Sequence, residues 1–194
     1  MMAENPVMNV EDARELLFAQ VKRLPAEDVE LLDALGRVLA DDATSDIDVA
    51  PFDNSAMDGF AVRRADLAGV SAGSPIALGV IAHIGAGDDV AGIVVGEGQA
   101  ARIMTGAALP EGADSVVMVE WTHVLSGDGG TGSSVAFEIE PAPGEHVRRR
   151  GEEVLAGDVV LPSGSLLGPA AIGLLAATGH ATARVAAMSS GTTS

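Results

Sequence analysis

The sequence contains no cysteine, so disulfides, thiolate-bound metals and a cysteine nucleophile are all excluded. Lysine occurs once, at Lys22. That position falls in a predicted helix and not behind a glycine-rich turn, which removes a P-loop. Basic residues are scarce overall, eleven against twenty-eight acidic ones, for a net charge of −17. Long-range repulsion from that charge opposes a nucleic-acid or anionic-membrane partner, and neither is expected. An anionic ligand would need a local basic patch. The uncharged stretch Leu67 to Gly87 is no long apolar run either, being broken by Pro75, five glycines and His83, and reads as strands and turns. Met1 to Asp12 carry acids and no continuous apolar stretch, unlike a secretory signal, so a cytoplasmic, soluble protein is expected. The four histidines, His83, His123, His146 and His180, show no pair at metal-ligand spacing, and no metal site is expected in this chain.

What is present is a globular composition, 47% hydrophobic and 20% charged, long enough for one good core or two small ones. Val10, Ala13, Leu17, Val21 and Leu24 fall at helical spacing between an Asn9 N-cap and Pro25. A shorter helix is predicted over Ala26 to Leu35, with Gly36 as its C-cap and an extended start at Val38 to Ala40. From Asp48 to Pro143 the pattern changes to short apolar runs between turns: Ala61 to Val62, Ile76 to Ile84, Gly92 to Val95, Ala101 to Met104, Ser115 to Glu120 and Val135 to Ile139. This predicts a small barrel or compact sandwich. Beyond Gly144 a strand at Val159 to Leu161, a helix at Pro169 to Ala177 ended by Gly179, and a strand at Ala181 to Met188 are expected. Ser189 to Ser194 should fray.

The predicted fold is therefore α+β. A discontinuous helix-and-strand domain, 1–47 with 144–188, carries an inserted small β-barrel-like domain, 48–143, because neither flank alone has enough apolar residues for a core. The tail 189–194 is expected to be disordered.

Four segments carry candidate chemistry. Gly127 to Gly132 matches a dinucleotide fingerprint in its glycines, but strand-like Val135 to Ile139 follows where a helix is required, so a hairpin loop is the better reading. Pro51-Phe52-Asp53-Asn54-Ser55-Ala56-Met57-Asp58-Gly59 packs turn formers and two carboxylates round two bulky apolar side chains; an ordinary turn and a functional loop both fit. Ala101 to Ala107 reads as a strand ending in the Thr105 hydroxyl and the Gly106 amide, either a polar hairpin tip or a set of donors for an oxyanion. Arg148-Arg149-Arg150 holds three of the eleven basic residues, and is either a solvated run or an anion-binding patch.

Taken together, Pro51 to Ala61, Arg102 to Glu120 and Gly144 to Glu153 resemble the molybdopterin molybdenumtransferase family, represented by bacterial MoeA and the C-terminal half of gephyrin. Weaker likeness at Gly36 to Ala40 and Leu166 to Gly179 extends the resemblance over nearly the whole chain. It implies an elongated dimeric enzyme that inserts molybdate into adenylylated molybdopterin, with Mg2+ or a similar divalent ion, releasing molybdenum cofactor and AMP. By that resemblance Asp58 and Thr105 are the catalytic residues, lining a cleft that faces the partner subunit. Arg102, Glu120, Arg148 and Arg150 are the expected substrate-binding residues. His146 stands where the family usually has Asn, and Glu153 where it has Asp. The family's next loop, a Thr-Gly-Asp-Glu-like turn, has no counterpart in Ser189 to Ser194. The resemblance thus implies an N-terminal part that is inactive alone, binds adenylylated molybdopterin weakly or not at all, holds no Mg2+ or molybdate itself, and forms a homodimer. A non-catalytic dimerisation or binding module derived from the family is the alternative.

Overall fold

A computed structural model describes residues 8–188; the expected fraying of Ser189 to Ser194 lies outside them. In chain order the elements are α1 (Val10–Gln20), β1 (Ala26–Glu30), β2 (Ala43–Thr44), β3 (Asn54–Ser55), β4 (Gly59–Val62), β5 (Ile76–Ile84), β6 (Gln99–Ile103), β7 (Ser115–Met118), β8 (Thr122–Ser126), β9 (Ser134–Phe137), β10 (Val147–Arg148), β11 (Val159–Leu161), α2 (Pro169–Ala177) and β12 (Thr182–Ala186). Strand dominates and helices are few. The chain divides into two compact units, one formed by residues up to Thr44 together with those from Val159 onward, the other by Ser45–Asp158.

The Ser45–Asp158 unit is built on a mixed six-stranded sheet in the order β7-β4-β6-β5-β9-β8. Its two edge strands are consecutive in the chain, joined only by the 3-10 turn Val119–Trp121. Four peptide steps reach at most about 14 Å, whereas the edges of a flat six-stranded sheet stand about 24 Å apart at the usual strand spacing. The sheet must therefore curl into a half-barrel. Its edges are not hydrogen-bonded to each other, so the barrel stays open. β4, between β7 and β6, is buried throughout and serves two cores by alternation. Phe60 and Val62 pack with Leu67, Leu78, Val117 and Phe137, while Ala61 packs with Ile84, Ala101, Ile103 and Val116. Gly127–Gly132 lies in the hairpin between β8 and β9, with Gly127, Gly129 and Gly132 all at positive φ.

The boundary at 143 is corrected: Gly144 to Asp158 belong with the β unit. β10 pairs with β3, Val154 bridges Val49, and Arg149 and Arg150 engage Asp53 and Asp48. Short ladders and ion pairs of this kind leave no periodic signal in sequence.

The terminal unit has one small core, Leu31, Ala34, Leu39, Leu167, Leu175 and Val185 among its members. Here the predicted helix over Ala26 to Leu35 is wrong. Ala26–Glu30 form β1, antiparallel to β12 with Val29 opposite Ala183, and only Leu31–Ala34 turn as 3-10 helix. Pairing with a strand more than 150 residues away in sequence outweighs the helix propensity of an Ala-Glu-Asp-rich segment. Asn9 does cap α1, its side chain accepting the Asp12 amide at 2.7 Å, but α1 ends at Gln20, and none of its residues is buried.

Candidate functional site

β4 and β6 run antiparallel with Gly59 opposite Ile103, so the residue before β4 meets those following β6 at one end of the sheet. This brings Asp58 and Thr105 together, both exposed. The Thr105 amide and hydroxyl each donate to Asp58 Oδ1 at 2.7 Å; Oδ2 makes no hydrogen bond among the described residues. The amide bond first, then the hydroxyl bond, hold the Asp58 carboxyl below its ordinary 3.8, against an opposing desolvation and with a smaller addition from the positive charge of Arg102. The carboxylate is thus ionised at neutral pH. Gly59 is required beside it, because a Cβ there would lie 2.1 Å from the Val117 carbonyl oxygen.

The remaining tip amides are engaged as well: Gly106 donates to the Ser55 carbonyl at 2.8 Å, and Ala107 to that of Met104 at 3.0 Å. The reading of Thr105 and Gly106 as donors for an oxyanion is corrected accordingly. Their N–H groups and the Thr105 O–H already have acceptors, and the pair offers outward only the lone pairs of Asp58 Oδ2 and Thr105 Oγ1.

Of the expected binding residues, Glu120 sits in the Val119–Trp121 turn, exposed, and the turn is tied to the site where the Val119 amide donates to the Asp58 carbonyl at 3.3 Å. Arg102 is on β6 opposite Phe60, its guanidinium carbon 5.0 Å from the ring centroid, a cation–π contact. The three arginines do not present one free patch. Arg149 Nη1 donates to Asp53 at 2.6 Å, the Arg150 amide to Asp53 at 2.8 Å, and Arg150 Nε to Asp48 at 2.5 Å. Arg148, on β10, has no ion-pair partner among the described residues. Neither Arg148 nor Arg150 bonds to Asp58 or Thr105. The assignment of the Arg150 guanidinium to a ligand is thereby weakened in favour of Arg148.

Sequence reasoning missed Asp48 and Asp53 as the counter-charges of this run. The Arg150 amide, followed by the Arg149 side chain, lowers the Asp53 carboxyl; the Ala156 amide, followed by Arg150, lowers that of Asp48. The signal was available, two aspartates five residues apart in a chain with few cations, but without coordinates nothing links them to 149 and 150. His146 has φ +56°, the left-handed region that Asn, Asp and His enter more readily than most side chains. Among the described residues no three His, Cys, Asp or Glu side chains converge as a metal site, and no helix is long and apolar enough to cross a membrane.

Residues 8–179 match the family described as the MoeA N-terminal region (domain I and II). The chain belongs to this family. It is 39% identical over 181 residues to the molybdopterin molybdenumtransferase of Staphylococcus aureus strain MSSA476, covering 93% of this chain and 41% of the relative. To the Bacillus subtilis strain 168 protein of the same name it is 39% identical over 185 residues, 95% of this chain and 42% of that one. A solved structure of the molybdopterin biosynthesis MoeA protein of Pyrococcus horikoshii OT3 superposes with a TM-score of 0.81 at 35% identity, over 90% of this chain and 45% of that one. The chain thus spans about two fifths of the length of the curated relatives it matches.

Proposed function

We propose that this chain is the N-terminal part of a molybdopterin molybdenumtransferase, acting in the cytoplasm, in which Asp58 and Thr105 line the cleft where molybdate is inserted into adenylylated molybdopterin to give molybdenum cofactor and AMP. The carrying observation is the double hydrogen bond from Thr105 to one oxygen of an ionised Asp58, which leaves the other oxygen free. In this reading the terminal unit is an α+β discontinuous domain and the curled-sheet unit is a second domain inserted in it. Arg148 is the best placed cation for an anionic group of the substrate. For Mg2+ our reading puts the ligands mainly in other parts of the working enzyme and in the substrate, since the ion takes several oxygen donors and no group of three such side chains converges among the described residues.

The test is complementation. A full-length relative whose equivalent of Asp58 is replaced by Asn would be mixed with this chain, and molybdenum cofactor formation followed. The chain alone should give no turnover, and should restore activity to the defective relative by forming a mixed dimer. Restoration by Asp58→Asn equal to that by the unaltered chain would remove Asp58 from the reaction.

A second reading, a non-catalytic dimerisation or binding module, has one observation in its favour. Val10, Leu17 and Phe18 on α1 are 77%, 66% and 69% exposed, an apolar surface that the described residues leave uncovered. Sedimentation of the purified chain separates the two: a dimer without complementation favours the module.

A further inference from the structure

A cleft of about 260 Å³ opens in the β unit, walled by Phe60, His83, Arg102, Val119, Val124 and Asp128. Its base is a cross-strand row, with His83 on β5 and Phe60 on β4 both register partners of Arg102 on β6. The guanidinium is held against the Phe60 ring, yet its Nη1 is buried and has no hydrogen-bond partner among the described residues. Buried donors in native proteins almost always meet an acceptor, so this one points to an acceptor that enters from beyond the described residues.

The neighbouring groups define what that acceptor is. Thr122 Oγ1 donates to the Val119 carbonyl at 2.8 Å, the Gly129 amide to Ser133 Oγ at 3.0 Å, and the Gly130 amide to Asp128 Oδ1 at 2.9 Å. None of these is available to a ligand, which leaves Arg102 and the exposed His83 as the open donors. Charge then selects among anions. Asp128 is kept ionised, chiefly by the Gly130 amide and with a contribution from His83, and Asp58 also feels Arg102. A cleft that holds one guanidinium and also carries the Asp128 carboxylate in its wall disfavours a dianion more than a monoanion. Val119 and Val124, 37% and 50% exposed, offer an apolar wall.

We propose that this cleft binds a small organic monocarboxylate, its carboxylate hydrogen-bonded by Arg102 with His83 beside it and its apolar body against Val119 and Val124. The site uses neither Asp58 nor Thr105, and assigns Arg102, which the resemblance placed among the substrate-binding residues, to a separate ligand. Guanidinium matches a planar carboxylate through paired N–H donors.

The experiment is an NMR titration of the isotopically labelled chain with sodium benzoate at constant ionic strength, with sodium phosphate and benzamide as comparators. Benzoate should give saturable shifts at the Arg102 side chain, His83 and Val124, with phosphate and benzamide at least about tenfold weaker. Arg102→Lys should weaken benzoate by about tenfold, since an ammonium lacks the paired donors, and His83→Ala, which leaves the Phe60 stack intact, should weaken it several-fold. Phosphate binding as well as benzoate, or Arg102→Lys leaving benzoate unaffected, would overturn the proposal. So would Arg102 resonances that ignore benzoate but move on Glu120→Gln, because the missing acceptor would then be the chain's own Glu120.

Discussion

The two units bury themselves in different ways. The β unit wraps one long sheet round two apolar clusters and ties its loops with carboxylates that accept backbone amides, Asp48 from Ala156, Asp53 from Arg150, Asp58 from Thr105 and Asp128 from Gly130. The terminal unit has two-stranded pieces, one small core and a first helix with no buried residue. Loop carboxylates fix local geometry without apolar area, so they order a functional loop that a small core could not hold. The terminal unit shows one such tie among the described residues, Asp42 accepting the Ser163 amide at 2.7 Å, and depends mainly on its few packed side chains, with no residue of α1 among them.

Phe60→Ala is expected to have the largest effect, because it empties the centre of the main cluster and breaks the edge-to-face contact with Phe137, whose ring centroid is 5.6 Å away. About 3–5 kcal/mol should be lost, read by urea unfolding. Leu175→Ala in the terminal unit should lose about 2–5 kcal/mol. If each unit keeps its own core, amide exchange will report the first loss mainly at Val117 and the second mainly at Val185. Equal loss at both positions from either substitution would show a single cooperative unit, and the contrast would fail.

Acid sharpens the comparison next. Asp48, Asp53, Asp58 and Asp128 have folded-state values below 3.8. Their contribution is therefore complete above that ordinary value and is lost as pH falls through the lower folded ones. Amide exchange at Thr105, Gly130 and Arg150 should accelerate below about pH 3.8 before exchange at Val185 does. Simultaneous loosening would mean that these bonds add nothing to the β unit. The smallest effect belongs to α1: Val10→Ser with Leu17→Ser should change monomer stability by no more than about 0.5 kcal/mol, while weakening any self-association seen by sedimentation.

Much of this was legible before any coordinates. Ile76 to Ile84 and Pro169 to Ala177 were read with the bounds the structure shows, since a nine-residue apolar run and a proline-started helix are local signals. Ala26–Glu30 misled because its conformation is set by β12, at the other end of the chain. β8 was missed because four of its five residues are exposed and no alternation marks it. At the site, Asp58 and Thr105 were linked by resemblance, and their contact depends on the pairing of β4 with β6. That Thr105 has no donor left for an oxyanion follows from hydrogen bonds that no motif encodes.

The pairing of β1 with β12 also has a temporal meaning. A ribosome releases Ala26–Glu30 long before Thr182–Ala186, and all of Ser45–Asp158 emerges in between. Domains fold largely as they emerge, and a folded β unit brings its two ends closer than a loose loop of that length would, which eases closure of the outer pair. Until β12 arrives β1 has no partner strand, and its row of Glu27, Asp28 and Glu30 guards it during that wait, since charged side chains discourage a bare strand from pairing with a neighbour on another chain.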